Sequence, residues 1–132
     1  VLDLGSGARY ACDASACARV AGRRGSLVTA AAPLRSASER RAAPGVAVDM
    51  ESAPIAREAA RAGIPFVAIR AVGDAADTEL PAMVAAIDGS TPARRALGTL
   101  RPRDVPVLGR LALGAVIGGW ALRRAAGELI RG

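Results

Sequence analysis

An α/β fold with a mainly parallel or mixed sheet is what this 132-residue sequence predicts. Three features carry that expectation. Short β-rich runs alternate with helix-forming stretches, a strand-helix-strand pattern occupies Val46 to Val72, and a long apolar stretch, Val107 to Ile130, reads as one C-terminal helix. A chain of this length makes about one small domain. Its 52% hydrophobic and 23% charged residues suit a packed core rather than disorder.

Taken in order, Val1 to Leu4 reads as a strand followed by a Gly-Ser-Gly turn, and the Ala-rich stretch from Ala11 to Val20 reads as helical. Ser26 to Ala30 is a short strand. Ser36 to Ala43 has the Ser start and the Glu39 three residues on that open a helix, and Pro44-Gly45 ends it. Val46 to Met50 is the next strand. Glu51 to Ala62 follows as a helix, with Ile55, Ala56, Ala59 and Ala60 at helical spacing and Gly63 as its natural stop. Phe66 to Val72 is nearly unbroken in apolar character, as a strand buried on both faces would be. Farther on, Asp77 to Pro81 reads as a loop, Ala82 to Ile87 as a short helix and Asp88 to Pro92 as a turn. In the last helix the apolar run from Leu111 to Leu122 is short of the roughly twenty residues a bilayer crossing needs, so it is expected to cover a core. Gly118 and Gly119 weaken that helix.

The formal charge of +6 invites a nucleic-acid partner, but the distribution argues against one. Every cation is Arg, the arginines are scattered, and Tyr10, Phe66 and Trp120 are too few and too dispersed for a stacking platform. Cys12 and Cys17, in a chain without His, cannot complete the usual zinc sets and are expected to be free thiols. No metal or other cofactor is expected. With no signal-like opening, a cytoplasmic location is the expectation. The chain opens in a strand without an initiator Met, as a fragment would.

The chemistry concentrates where strands end. Parallel strands joined by a right-handed crossover bring their C-terminal ends to one rim, and that rim is where open α/β sheets bind ligands. Glu51 and Asp74 are placed there together. The strings Ala47-Val48-Asp49-Met50-Glu51-Ser52-Ala53 and Ile64-Pro65-Phe66-Val67-Ala68-Ile69-Arg70-Ala71-Val72-Gly73-Asp74-Ala75-Ala76-Asp77 resemble paired motifs of the nucleoside phosphorylase and nucleosidase superfamily. That superfamily includes the bacterial methylthioadenosine/S-adenosylhomocysteine nucleosidases. The Asp-Met-Glu-Ser variant, with Thr78-Glu79-Leu80-Pro81 after the second motif, is most similar to the hopanoid-associated phosphorylase branch.

The resemblance implies an incomplete three-layer α/β/α phosphorylase-like fold, with residues 1–132 as the C-terminal portion of a single domain. It also implies cleavage of the N-glycosidic bond of an adenine nucleoside, adenosylhopane in the finer assignment. Glu51 would accept hydrogen bonds from the ribose hydroxyls, which an ionised carboxylate can do in pairs, and Met50 would pack on the sugar. Asp74 would be the general acid that protonates the departing purine. Val28 and Thr29 align with the segment whose backbone holds the base. Gly73 stands where the family usually has Ser, which removes a hydroxyl that could orient Asp74. The same positions also suit plainer roles: Glu51 at a helix start, Asp74 in a turn, Val28 and Thr29 in a core strand and Arg70 as a structural cation.

The partners implied are a purine nucleoside and phosphate, with a homo-oligomer for the full-length protein. The family's glycine-rich anion loop and water-activating carboxylate have no counterpart in the sequence, so the fragment alone is expected to be inactive. Two other readings compete. Val1-Leu2-Asp3-Leu4-Gly5-Ser6-Gly7 matches the first motif of S-adenosylmethionine-dependent methyltransferases, although no acidic residue ends a clear second strand. A non-catalytic remnant with weak membrane-surface association is the other, suggested by the apolar C-terminal helix.

Overall fold

The computed structural model describes residues 1–78, 98 and 100–131. The expected helix at Ala82 to Ile87 and turn at Asp88 to Pro92 lie outside them, as do Glu79 to Pro81. Three strands form a parallel sheet in the order β1-β2-β3, with β1 at Leu2–Asp3, β2 at Leu27–Thr29 and β3 at Ala47–Asp49. Among the described residues four α-helices accompany them: α1 (Ala14–Arg19), α2 (Ala37–Ala42), α3 (Ser52–Ala62) and α4 (Val105–Arg131), the last entered through a 3-10 turn at Pro102–Asp104. This is the α/β architecture with a long C-terminal helix that the sequence predicts.

Local chemistry sets the helix ends. Asp13 caps α1 by accepting from the Ala16 amide at 2.7 Å. Ser36 and Glu39 form a reciprocal capping box on α2, the Ser36 hydroxyl taking the Glu39 amide at 3.1 Å and the Glu39 carboxylate taking the Ser36 amide at 2.8 Å. Gly63 ends α3 with φ of 66°, in the left-handed region that Gly enters without a Cβ clash.

The core is built from small residues around the central strand. Val28 is fully buried, with Leu2, Leu27, Ala30, Ala53 and Ala56 around it. α3 turns Ser52, Ala53 and Ala56 inward, while Ile55 is exposed, so the buried face differs from the one suggested by Ile55, Ala59 and Ala60. β2 lies close beneath this helix, the Ala53 amide reaching the Thr29 hydroxyl at 2.9 Å, and the side chains between them are small.

Two expectations are corrected. Phe66 to Val72 is not a strand, and none of it is buried on both faces. Pro65 has no N–H to donate, the Phe66 carbonyl is taken by the Asp13 amide at 2.7 Å, and the segment leans on α4 instead of laddering with β3. Gly114 and Gly118 permit that contact: a Cβ on Gly118 would stand 2.7 Å from the Ala71 methyl, and one on Gly114 would stand 3.0 Å from the Gly73 carbonyl oxygen. The helix-terminated β-α unit therefore closes through packing on α4 rather than through a fourth strand.

The C-terminal helix is also not a core cover. Only Gly118 and Ala125 of α4 are buried. Pro102–Arg131 contains an 18-residue window of mean hydropathy 1.6, long and apolar enough to cross a membrane by length and composition. Any such window reaches beyond Leu111 to Leu122 and takes in a flanking arginine, Arg110 or Arg123, without losing its apolar character.

Candidate functional site

β3 lines a cleft of about 300 Å³ together with Arg40, Arg70, Gly73 and Asp74, among others. It continues into a second hollow of about 240 Å³, where Arg40, Val48, Asp49 and Asp74 recur and Leu34, Met50 and Glu51 join them. Met50, Glu51 and Asp74 are thus brought to one cleft. Val28 and Thr29 are not. Val28 lies beneath, paired through β2 with Leu2 and Val48, and the Thr29 carbonyl is occupied by the Leu4 amide at 3.0 Å.

The floor of the cleft is an organised acid. Asp49 has a side chain only 6% exposed. It accepts from the Thr29 hydroxyl at 2.9 Å, from the Ser52 amide at 3.3 Å and from the Ser52 hydroxyl, and it pairs with the Arg70 guanidinium. Burial pushes its pKa up, but the hydroxyls of Ser52 and Thr29 and the Arg70 guanidinium outweigh that and hold it below the usual Asp value. Thr29 extends the network by accepting the Ala53 amide at 2.9 Å, so β2, β3 and the first turn of α3 are tied at one point.

Above this floor Glu51 stays accessible. Its side chain is 57% exposed, makes no cap bond to α3 and meets Arg70 Nη2 at 2.8 Å. The helix start is instead satisfied by Asp49, which frees Glu51 from the structural duty its position suggested. Asp74 is half-buried at the head of a turn closed by Thr78, whose hydroxyl accepts the Ala75 amide at 3.2 Å.

Arg40 organises the opposite wall. From α2 it donates to the carbonyls of Leu34 (3.2 Å), Arg35 (3.0 Å) and Ala76 (3.0 Å) and to that of Thr78, clasping the loop after β2 to the loop after Asp74. Neither Arg40 nor Asp49 stood out in the sequence. For Asp49 a signal existed, an acid at a strand end three residues before the Ser of a helix start; for Arg40 none did, because its partners are distant in the chain.

The glycine-rich turn at the N-terminal end is closed on itself. The Gly5 amide and Ser6 hydroxyl bond the Asp3 carboxylate at 3.0 and 2.6 Å, the Gly7 amide bonds the Asp3 carbonyl and the Ala8 amide bonds Ser6. Those donors are engaged internally rather than turned outward to a cofactor.

The small parallel α/β sheet thus has Asp49, Glu51 and Asp74 in the cleft beside β3. The family model of the phosphorylase superfamily matches residues 8–96, and the chain belongs to that superfamily. No curated protein and no solved structure matches it. The family's chemistry is cleavage of the glycosidic bond of nucleosides.

Proposed function

We propose that the cleft takes an adenine nucleoside and that its N-glycosidic bond is cleaved with Asp74 as general acid. The observation that carries this reading is that Met50, Glu51 and Asp74 line one continuous hollow. Glu51, exposed and not engaged in capping α3, accepts the ribose hydroxyls, and Met50 packs on the sugar. As the bond from C1′ to N9 breaks, its electron pair passes to the purine and Asp74 delivers a proton to N7, so the base leaves neutral. Water or phosphate forms the new bond to C1′; when water does, the proton it sheds passes to solvent, from which Asp74 is reprotonated.

The finer assignment, to the hopanoid-associated branch with adenosylhopane as substrate, is supported by the Asp49-Met50-Glu51-Ser52 string. It is supported also by a hollow of about 510 Å³ that shares Val46, Ala47 and Ala71 with the cleft and is walled by Leu27, Ile69 and Leu122, an apolar place for a nucleoside substituent.

Calorimetry and chromatographic detection of free base test the reading across a panel of purine nucleosides, with and without phosphate, in the active enzyme. Asp74→Asn should retain nucleoside binding and lose base release by about 100-fold or more. Glu51→Gln should weaken binding. Undiminished release by Asp74→Asn would remove Asp74 from the mechanism.

A further inference from the structure

One face of α4 is used by the fold and another is not. Gly114, Gly118 and Ala125 turn toward Ala71, Gly73 and the hollow beneath the cleft. Leu113, Val116, Ile117 and Trp120, spaced i, i+3, i+4 and i+7, form a separate stripe and are 60%, 59%, 60% and 70% exposed. These four run together along about 10 Å of the helix surface.

The charges around that stripe identify what it fits. Arg110 precedes Leu113 by one turn and Arg124 follows Trp120 by one turn, so the same face carries a cation at each end. Arg123 lies over the Trp120 ring at 5.7 Å, and Arg101, Arg103 and Arg131 are exposed toward the helix ends. Against these six arginines the segment has two acids, Asp104 and Glu128. Glu128 is already engaged by Arg124 at 3.1 Å and by the Ala21 amide at 3.2 Å. A second copy of the chain would bring arginines against arginines, whereas a surface that is apolar inside and anionic outside complements the face at every point.

We propose that α4 lies in the surface of an anionic bilayer, with Leu113, Val116, Ile117 and Trp120 among the acyl chains and the flanking arginines on the lipid phosphates. A helix that presents large apolar and aromatic side chains between arginines binds in the plane of the headgroups. Lying flat is the orientation that keeps Gly114 and Gly118 on Ala71 and Gly73; spanning the bilayer would strip that contact. The proposal is independent of the glycosidic reading, since it uses none of the cleft residues.

Trp120 is the only tryptophan, so its emission reports the event directly. With vesicles of phosphatidylcholine and phosphatidylglycerol its emission should shift to the blue and be quenched by brominated acyl chains, and cosedimentation should weaken as salt rises. Pure phosphatidylcholine vesicles should bind much less. Arg123→Gln/Arg124→Gln should weaken partitioning roughly 25-fold, and Leu113→Gln/Ile117→Gln should abolish the blue shift, with circular dichroism confirming that helix content is kept. Absence of any shift with anionic vesicles overturns the proposal, as does equal binding to neutral vesicles. A dimer in sedimentation equilibrium that is lost in Leu113→Gln/Ile117→Gln would assign the face to a second copy instead.

Discussion

Arg70 holds Asp49 through a single carboxylate oxygen, its Nε at 2.7 Å and its Nη2 at 2.6 Å from Oδ2. That contact fastens an unladdered segment to the end of β3, doing by charge what backbone bonds do within the sheet. Asp49→Ala would leave the Thr29 and Ser52 hydroxyls without their acceptor and Arg70 paired with Glu51 alone. Urea denaturation should show a loss of about 1–3 kcal/mol. Arg70→Met should cost less, because its side chain is 40% exposed and water can replace it around Asp49.

The same carboxylate makes stability depend on acid. Because its folded pKa lies below the ordinary value, Asp49 contributes stability above the unfolded pKa of about 4, and the contribution fades as pH falls through the folded value. Denaturation midpoints measured from pH 6 down to pH 2 should therefore decline most steeply below about pH 4. Asp49→Asn should flatten that decline while lowering the plateau.

Neighbouring glycines of α4 should respond oppositely to substitution. Gly118→Leu must push Ala71 away, since even a Cβ would stand 2.7 Å from its methyl. A loss of about 1–3 kcal/mol is expected, and nucleoside affinity should fall with it because Ala71 leads to Asp74. Gly119 has nothing within 4 Å of such a Cβ, so Gly119→Ala should be neutral or stabilise by up to about 1 kcal/mol. Thermal melts and calorimetry on the two variants check the contrast.

Removing the clasp should loosen the wall of the cleft without melting the sheet. In Arg40→Met the carbonyls of Ala76 and Thr78 lose their shared donor. Hydrogen exchange should rise at Ala75 to Thr78 and stay unchanged at Leu27 to Thr29, and Ser36→Ala, which removes only the α2 cap at about 1 kcal/mol, is the control for helix fraying.

What could be read from the sequence was local. Ser36 with Glu39 announces α2, Gly63 announces the end of α3, and the apolar run from Val46 announces β3, because each signal and its structural effect lie within one turn or strand. Met50, Glu51 and Asp74 do line one hollow, but the crossover expected to bring them there does not form, because Phe66 to Val72 is not a strand. Phe66 to Val72 misled because apolar character says a segment is covered without saying by what, and here the cover is Gly114 and Gly118, some forty residues on. Asp49 and Arg40 escaped notice for a related reason: their importance lies in partners from several elements. The exposed side of α4 was hidden by reading hydropathy as burial.

The order of strands in space repeats their order in the chain, and one short helix separates each pair. β2 can therefore dock on β1, and β3 on β2, as each leaves the ribosome, without threading past a strand already placed. Assembly by accretion of this kind keeps loop closure modest at each step. It also leaves the growing margin open at every stage, so until the Arg70 segment and α4 settle beside it, β3 is where a nascent chain is most vulnerable to pairing with the wrong neighbour.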